Sequence, residues 1–166
     1  MTEKLVLDRT DLGIVAALQK DVRLSNKELA AKVGLSPSAC FERVRALRRA
    51  GVLAGARAEI APAALGIGLQ AFIAIRLARH SRDSFTTLRD RLLELDEVIA
   101  IYHVSGQTDI LAQLAVRDMT HLRDTLIEKI ATRKEVGATE TSVIFEARRK
   151  SALPCYVETE KPRRKR

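Results

Sequence analysis

The chain has 166 residues, 46% of them hydrophobic and 30% charged, with a formal net charge of +8. That is room for one domain or two small ones with filled cores. No apolar run approaches the roughly 18 residues of a membrane span, and the opening Met-Thr-Glu-Lys lacks the basic-then-apolar layout of a secretory signal, so a cytoplasmic protein is expected.

The first predicted helix follows Leu7. Asp8 or Thr10 caps it, Leu12, Val15 and Leu18 form its apolar face, and Asp21 and Val22 end it. Ser25 and Glu28 then make a capping box, so a second helix starts at Asn26. Leu29, Ala30 and Val33 line one side of it, and Gly34 supplies the left-handed residue that stops it. Ser36 caps a third helix, Pro37 takes its first position, where no amide hydrogen is needed, and Gly51 lies just past its end.

A short helix, a three-residue turn over 34–36 and a longer helix make a helix-turn-helix, whose second helix enters the DNA major groove. At 100° per residue, Cys40, Val44 and Leu47 share the packing side of that helix. Ser38, Glu42, Arg45 and Arg49 lie opposite, with Arg43 and Arg48 on the flanks. The expected DNA-contacting set is Asn26, Ser36, Ser38, Ala39, Glu42, Arg43, Arg45, Arg48 and Arg49. Arg45 and Arg49 meet base edges or adjacent backbone, and Arg43 and Arg48 meet phosphates unless they are paired within the protein. Residues 54–60 alternate Ala56, Ala58 and Ile60 with Arg57 and Glu59, which predicts an extended segment, either a wing or a connecting strand.

The Pro- and Gly-punctuated stretch 61–68 is the expected linker. It separates a DNA-binding domain over 1–60 from a second domain over 69–152, with a basic tail over 153–166. After the linker, periodicity predicts a strand over 70–78 and a helix over 83–95 carrying Phe85, Leu88, Leu92 and Leu95. Strands over 98–105 and 110–116, a helix over 120–130 and a strand over 139–147 follow. The order βαββαβ is ferredoxin-like: one antiparallel sheet with both helices on one face. The fold class is therefore α+β. Apolar residues on both sides of the first two strands predict that the open sheet face is covered, most economically by a second copy. A dimer also presents two helix-turn-helix units to half-sites about 34 Å apart.

Charge follows the same division. Residues 1–60 hold 11 Lys and Arg against 7 Asp and Glu, residues 61–146 hold 10 against 12, and residues 147–166 hold 8 against 2. The ends fit a double-stranded DNA partner and the middle does not; the tail at 161–166 either adds phosphate contact or is simply solvated. Cys40 and Cys155 stand in unlike settings and give neither a disulfide framework nor metal-ligand spacing. His80 and His121 lack the spaced partners a metal or a triad needs. There is no phosphate loop, paired catalytic carboxylate set or nucleophile elbow, so no enzyme and no cofactor are expected.

The phrases L-S-P-S-A-C-F-E-R-V-R-A-L and A-G-V-L-A-G, with V-S-G-Q-T-D-I further on, resemble the leucine-responsive/asparagine-regulator (Lrp/AsnC) family of transcription regulators over residues 7–154. The resemblance implies an N-terminal DNA-binding domain and a ferredoxin-like effector domain. It also implies dimers assembling into octamers or other rings, and an amino-acid effector held between dimers. In that family the turn after the second strand of the effector domain commonly reads Gly-Asp-aromatic-Asp-aromatic. Here Gly106 and Asp109 match, Gln107 replaces an acid, and Thr108 and Ile110 replace aromatics. The implied effector set is His103, Ser105, Gly106, Gln107, Thr108 and Asp109, with Asp109 receiving an ammonium group. Read from the residues alone, 106–109 is also a plain hairpin turn capped by Asp109, and His103 a structural strand residue. The altered turn leaves a second reading open, an effector-independent nucleoid-organising protein.

Overall fold

A computed structural model describes residues 6–79 and 81–157. His80 and the basic run at 161–166 lie outside them. The described residues form two compact units: one runs to Ala58 and includes 148–157, the other spans Glu59–Ala147. The start of the closing segment thus groups with the first unit, although the expected second domain ran to residue 152. Within the first unit, the Leu153 amide donates to Gln19 Oε1 at 2.6 Å.

Three helices build the first unit: α1 Arg9–Lys20, α2 Asn26–Val33 and α3 Pro37–Arg49. Each begins at a side-chain cap. Asp8 and Asp11 form a capping box on α1, Ser25 and Glu28 one on α2, and the Ser36 hydroxyl accepts the Ala39 amide at the start of α3. Gly34 closes α2 in the left-handed region (φ 70°), and the Leu35 amide bonds back to Ala30. Ile14, Leu29, Ala30, Cys40 and Leu47 form the buried cluster, with Val44 and Leu18 against it.

The buried face of α1 keeps Val15 and Leu18 of the expected set but not Leu12. Its centre is Ile14, fully buried, while Leu12 is half-buried and outside the cluster. Leu7, Asp11, Ile14 and Leu18 share that side at helical spacing, and Asp11 puts a carboxylate on it. The charge is matched from α3: Arg43 Nη1 lies 2.8 Å from Asp11 Oδ1 and 2.7 Å from Asp8 Oδ2. Hydrogen bonds to Asp11 and then Asp8 raise the Arg43 guanidinium above its ordinary value. The Asp11 amide, and secondarily Arg43, hold the Asp8 carboxyl below its own, against the opposing effect of desolvation.

Residues 54–60 are irregular and exposed, so neither a wing nor a connecting strand forms there. Their alternate positions are mostly alanines, too small to bury a useful area against a neighbour. The linker contains a 3-10 turn, Pro62–Leu65, closed by Gly66.

In the second unit, β1 Leu69–Leu77, α4 Arg82–Leu93, β2 Val98–His103, β3 Ile110–Val116, α5 Met119–Asp124 and β4 Val136–Ile144 follow the βαββαβ order. The sheet order is β2-β3-β1-β4, every neighbouring pair antiparallel. Alternate residues Ala71, Ile73, Ile75 and Leu77 of β1, with Ile110, Ala112 and Leu114 of β3, pack against Leu88, Leu92, Leu122 and Ile130. The other sheet face carries Phe72, Ala74, Tyr102, Leu111 and Gln113.

Two elements differ from expectation by more than two residues. The last strand begins at Val136 and ends at Ile144, not 139–147, because Gln70 pairs with Ile144 and β1 has almost no backbone beyond it to pair with Phe145. At its start, Gly137 runs so close to β1 that a Cβ would lie 3.1 Å from Ala78 backbone atoms. The second helix is α-helical only to Asp124 and continues as a π-helix, Thr125–Ala131. From it Lys129 Nζ reaches Glu97 Oε1 at 2.6 Å, and His121 Nε2 lies 3.1 Å from the same oxygen. The His121 Nδ1 accepts the Arg117 amide, so it is the Nε2–H that donates a hydrogen bond to Glu97 Oε1. Burial alone raises Glu97, but Lys129, its own backbone amide and His121 outweigh it and bring the pKa down to about 2.

Arg43→Ala leaves Asp11 nearly buried without its cation. It is expected to cost about 1–3 kcal/mol, read as a lower thermal midpoint, while Arg48→Ala on the exposed side leaves the midpoint unchanged. For Glu97 the folded pKa lies below the ordinary 4.5, so its contribution is complete above that value and fades as pH falls toward about 2. In acid titrations followed by circular dichroism, Glu97→Gln should flatten the stability loss across that window.

Candidate nucleic-acid interface and effector turn

The helix-turn-helix is held by polar contacts that occupy some of the expected DNA-contacting residues. Asn26 Nδ2 donates to the Pro37 carbonyl at 2.7 Å, tying the first residue of α2 to the first of α3. Ser36 Oγ caps α3 and sits 3.2 Å from Ser38 Oγ. Asn26 therefore ties the two helices together, and Ser36 caps α3, with side-chain atoms that a phosphate contact would also use.

On α3, Cys40 and Leu47 point into the cluster, and burial pushes the Cys40 thiol pKa up. Ser38, Ala39, Glu42, Arg45, Arg48 and Arg49 are exposed. Arg45 Nη1 stands 3.7 Å from Glu42 Oε1, both side chains more than half exposed. Such a pair is worth well under about 1 kcal/mol and opens readily to an incoming phosphate or base. Arg43 is the correction: its pairing with Asp8 and Asp11 withdraws it from the phosphate-contacting set. Three cations, Arg45, Arg48 and Arg49, remain on the outward side.

The sequence reading assigned no role to Phe41. It is 55% exposed, on the same side of α3 as Arg45 and Arg48. Sorting the face by charge and polarity passed over it. The helical wheel alone carries the signal, since at 100° per residue Phe41 falls about 60° from Ser38.

In the second unit the turn after β2 is anchored to β1. Asp109 Oδ2 accepts the Leu77 amide at 2.8 Å, the Asp109 amide donates to Ile75 O at 3.0 Å, and its carbonyl accepts the Val104 amide at 3.1 Å. Arg76 Nε donates to Gln107 O at 3.1 Å, and Gly106 has φ 116°, a conformation that other residues rarely adopt. Asp109 thus caps the turn with one carboxylate oxygen. Ser105, Gly106 and Gln107 are exposed, and Thr108 is half-buried. His103 stacks on Phe85 of α4 with ring centroids 4.1 Å apart, and the Arg89 guanidinium lies 5.8 Å over the same Phe85 ring.

Among the described residues no group of three or more His, Cys, Asp or Glu is placed to hold a metal ion, and no helix is long and apolar enough to cross a membrane.

Residues 7–54 match the model of a winged helix-turn-helix DNA-binding domain, and residues 70–153 that of the Lrp/AsnC ligand-binding domain. The chain is 40% identical over 140 residues to the leucine-responsive regulatory protein of Escherichia coli K12, spanning 84% of this chain and 85% of that protein. To the HTH-type transcriptional regulator AldR of Mycolicibacterium smegmatis it is 37% identical over 140 residues, 84% of this chain and 82% of the relative. The solved structure of a Neisseria meningitidis transcriptional regulator in complex with L-Met superposes with a TM-score of 0.82 at 30% identity, covering 89% of this chain and 96% of that one. Matched along both its helical and its sheet unit, the chain belongs to the Lrp/AsnC family of DNA-binding transcription regulators, proteins with an effector-binding domain and not enzymes.

Proposed function

We propose that the protein is a sequence-specific, amino-acid-responsive regulator that works in the cytoplasm as a homodimer, with dimers assembling into an octamer or a similar ring. The observation that carries the DNA-reading half is the outward side of α3. Arg45, Arg48 and Arg49 project from a helix whose other side is locked by Cys40, Leu47 and the Arg43 ion pairs. Arg45 and Arg49, beside Ser38 and Glu42, read base edges, and Arg48 neutralises a phosphate.

The open sheet face supports self-association. Rows pairing Tyr102 with Leu111 and Leu111 with Ala74, and Gln113 with Phe72, make an apolar patch on that face, bordered by Gln70 and by Ser142 and Glu140 of β4. Gln113 is 2% exposed and donates to Gln70 Oε1 at 3.2 Å, so its amide does not oppose a dry contact. A second copy of the face is the self-complementary partner that a two-fold dimer requires.

The effector reading rests on the turn at 106–109 and on the Neisseria relative's L-Met complex. Ser105, Gly106 and Gln107 are exposed where an amino acid's charged ends are to be met, with His103 at the strand end. The Asp109 bond to the Leu77 amide favours the second reading, DNA organisation without an effector, because that carboxylate already has a structural task.

One experiment separates the two readings: binding to the promoter region of the protein's own gene against unrelated DNA of equal length, over a salt series, with and without L-methionine and a pool of the twenty amino acids. Selective binding that an amino acid shifts is expected; selective binding without a shift removes the effector, and binding without selectivity leaves the organising role. In the same assay Arg45→Ala and Arg49→Ala should each lose about 1–3 kcal/mol and relax specificity at one position. Arg48→Ala should weaken all sequences alike and reduce the salt slope by about 1. The double variant Tyr102→Asp, Leu111→Asp is expected to sediment as a monomer.

A further inference from the structure

We infer that Phe41 is a specificity-determining residue that reads thymine, its ring packing on the 5-methyl groups of one or two thymines per half-site in the major groove. The inference rests on the DNA-reading role of α3 and goes beyond it by naming an apolar contact among the polar ones. Phe41 is the fifth residue of α3, in the N-terminal half of the helix that such motifs insert into the groove. The ring cannot turn inward, because Cys40 at 0% and Leu47 at 1% exposure already fill that side of the helix. Arg45 one turn on and Arg48 two turns on lie along the same side, so the surface that draws phosphates toward α3 also brings base edges to the ring. Phenylalanine offers no donor and no acceptor. Of the features on the major-groove edge of the four base pairs, only the thymine methyl is apolar. A large apolar ring set among cations therefore discriminates for that group and against cytosine, which presents an amino donor on the same side.

The full-length chain is titrated with its selected operator and with copies in which thymines are replaced one at a time by deoxyuridine, which removes the methyl and keeps the pairing. The unaltered protein is expected to lose about four- to tenfold in affinity at one or two positions per half-site. Phe41→Ala is expected to lose the same factor on the thymine operator and to be indifferent to uracil at those positions, while Phe41→Leu keeps part of the sensitivity. Circular dichroism and sedimentation of both variants match the unaltered chain, as befits an exposed side chain. The inference is overturned if the unaltered protein binds its operator selectively yet tolerates uracil everywhere. It is equally overturned if Phe41→Ala keeps full uracil sensitivity, or if the variant changes the oligomeric state, which would give the ring to a protein partner. A chain that shows no operator selectivity at all overturns the DNA-reading role itself, and this distinguishes failure of the foundation from failure of the inference.

Discussion

The ion pairs that Arg43 makes with Asp8 and Asp11 are the constraint on which the helical unit depends, because they connect the two ends of its sequence. A three-helix unit of this size has a small core, here five well-buried residues, and a core that small sets helix angles only loosely. A guanidinium engaging two carboxylates at 2.7 and 2.8 Å adds direction to that packing. The two acids also form the cap of α1, so one cluster starts the first helix and fixes the rotation of the third. With that rotation set, Arg45, Arg48, Arg49 and Phe41 face outward together. Asn26 bonding to the Pro37 carbonyl performs the corresponding task at the turn.

A similar economy appears in the sheet unit, where polar side chains with apparent functional character hold the fold. Asp109 receives the Leu77 amide, next to the shift in register between β1 and β4 at Arg76 and Leu77. Glu97 sits nearly buried under Lys129 and His121, and the π-helical turn places Lys129 there. A π-turn is rarely formed without a local gain, and here the gain is a cation delivered to a nearly buried carboxylate. The stack of His103 on Phe85 closes the end of β2 against α4, just before the turn. If an effector binds at that turn, it meets a loop whose acidic residue and whose histidine both already have structural partners. Recognition would then fall to backbone groups and to Ser105 and Gln107, consistent with the loss of the family's acidic and aromatic turn residues.

Much of this molecule follows from local signals. The capping residues, Gly34, Pro37 and the period-2 strands mark elements by short-range chemistry, and all three helices of the first unit and the βαββαβ order were legible in them. What was not legible has a common cause. Leu12 was placed on the buried face of α1 and Asp11 was given no part in it, because no local pattern reveals a cation 32 residues away. The end of β4 was placed three residues late because strand length is decided by where the neighbour stops, and the π-turn was invisible because α- and π-helical sequences differ little in composition.

The sequence by itself determined the helix-turn-helix and the βαββαβ order, since each depends on hydrogen bonds and periodicities within a few residues, and its motifs carried the family. Tertiary structure alone decided which charged and aromatic residues on that helix are available. Arg43 and Arg48 look equivalent on a helical wheel, and only the packing of α1 across α3 engages one guanidinium and leaves the other in water. The same packing fills the inner side of α3 and leaves Phe41 outside, because burial is a property of what surrounds a residue and not of the residue.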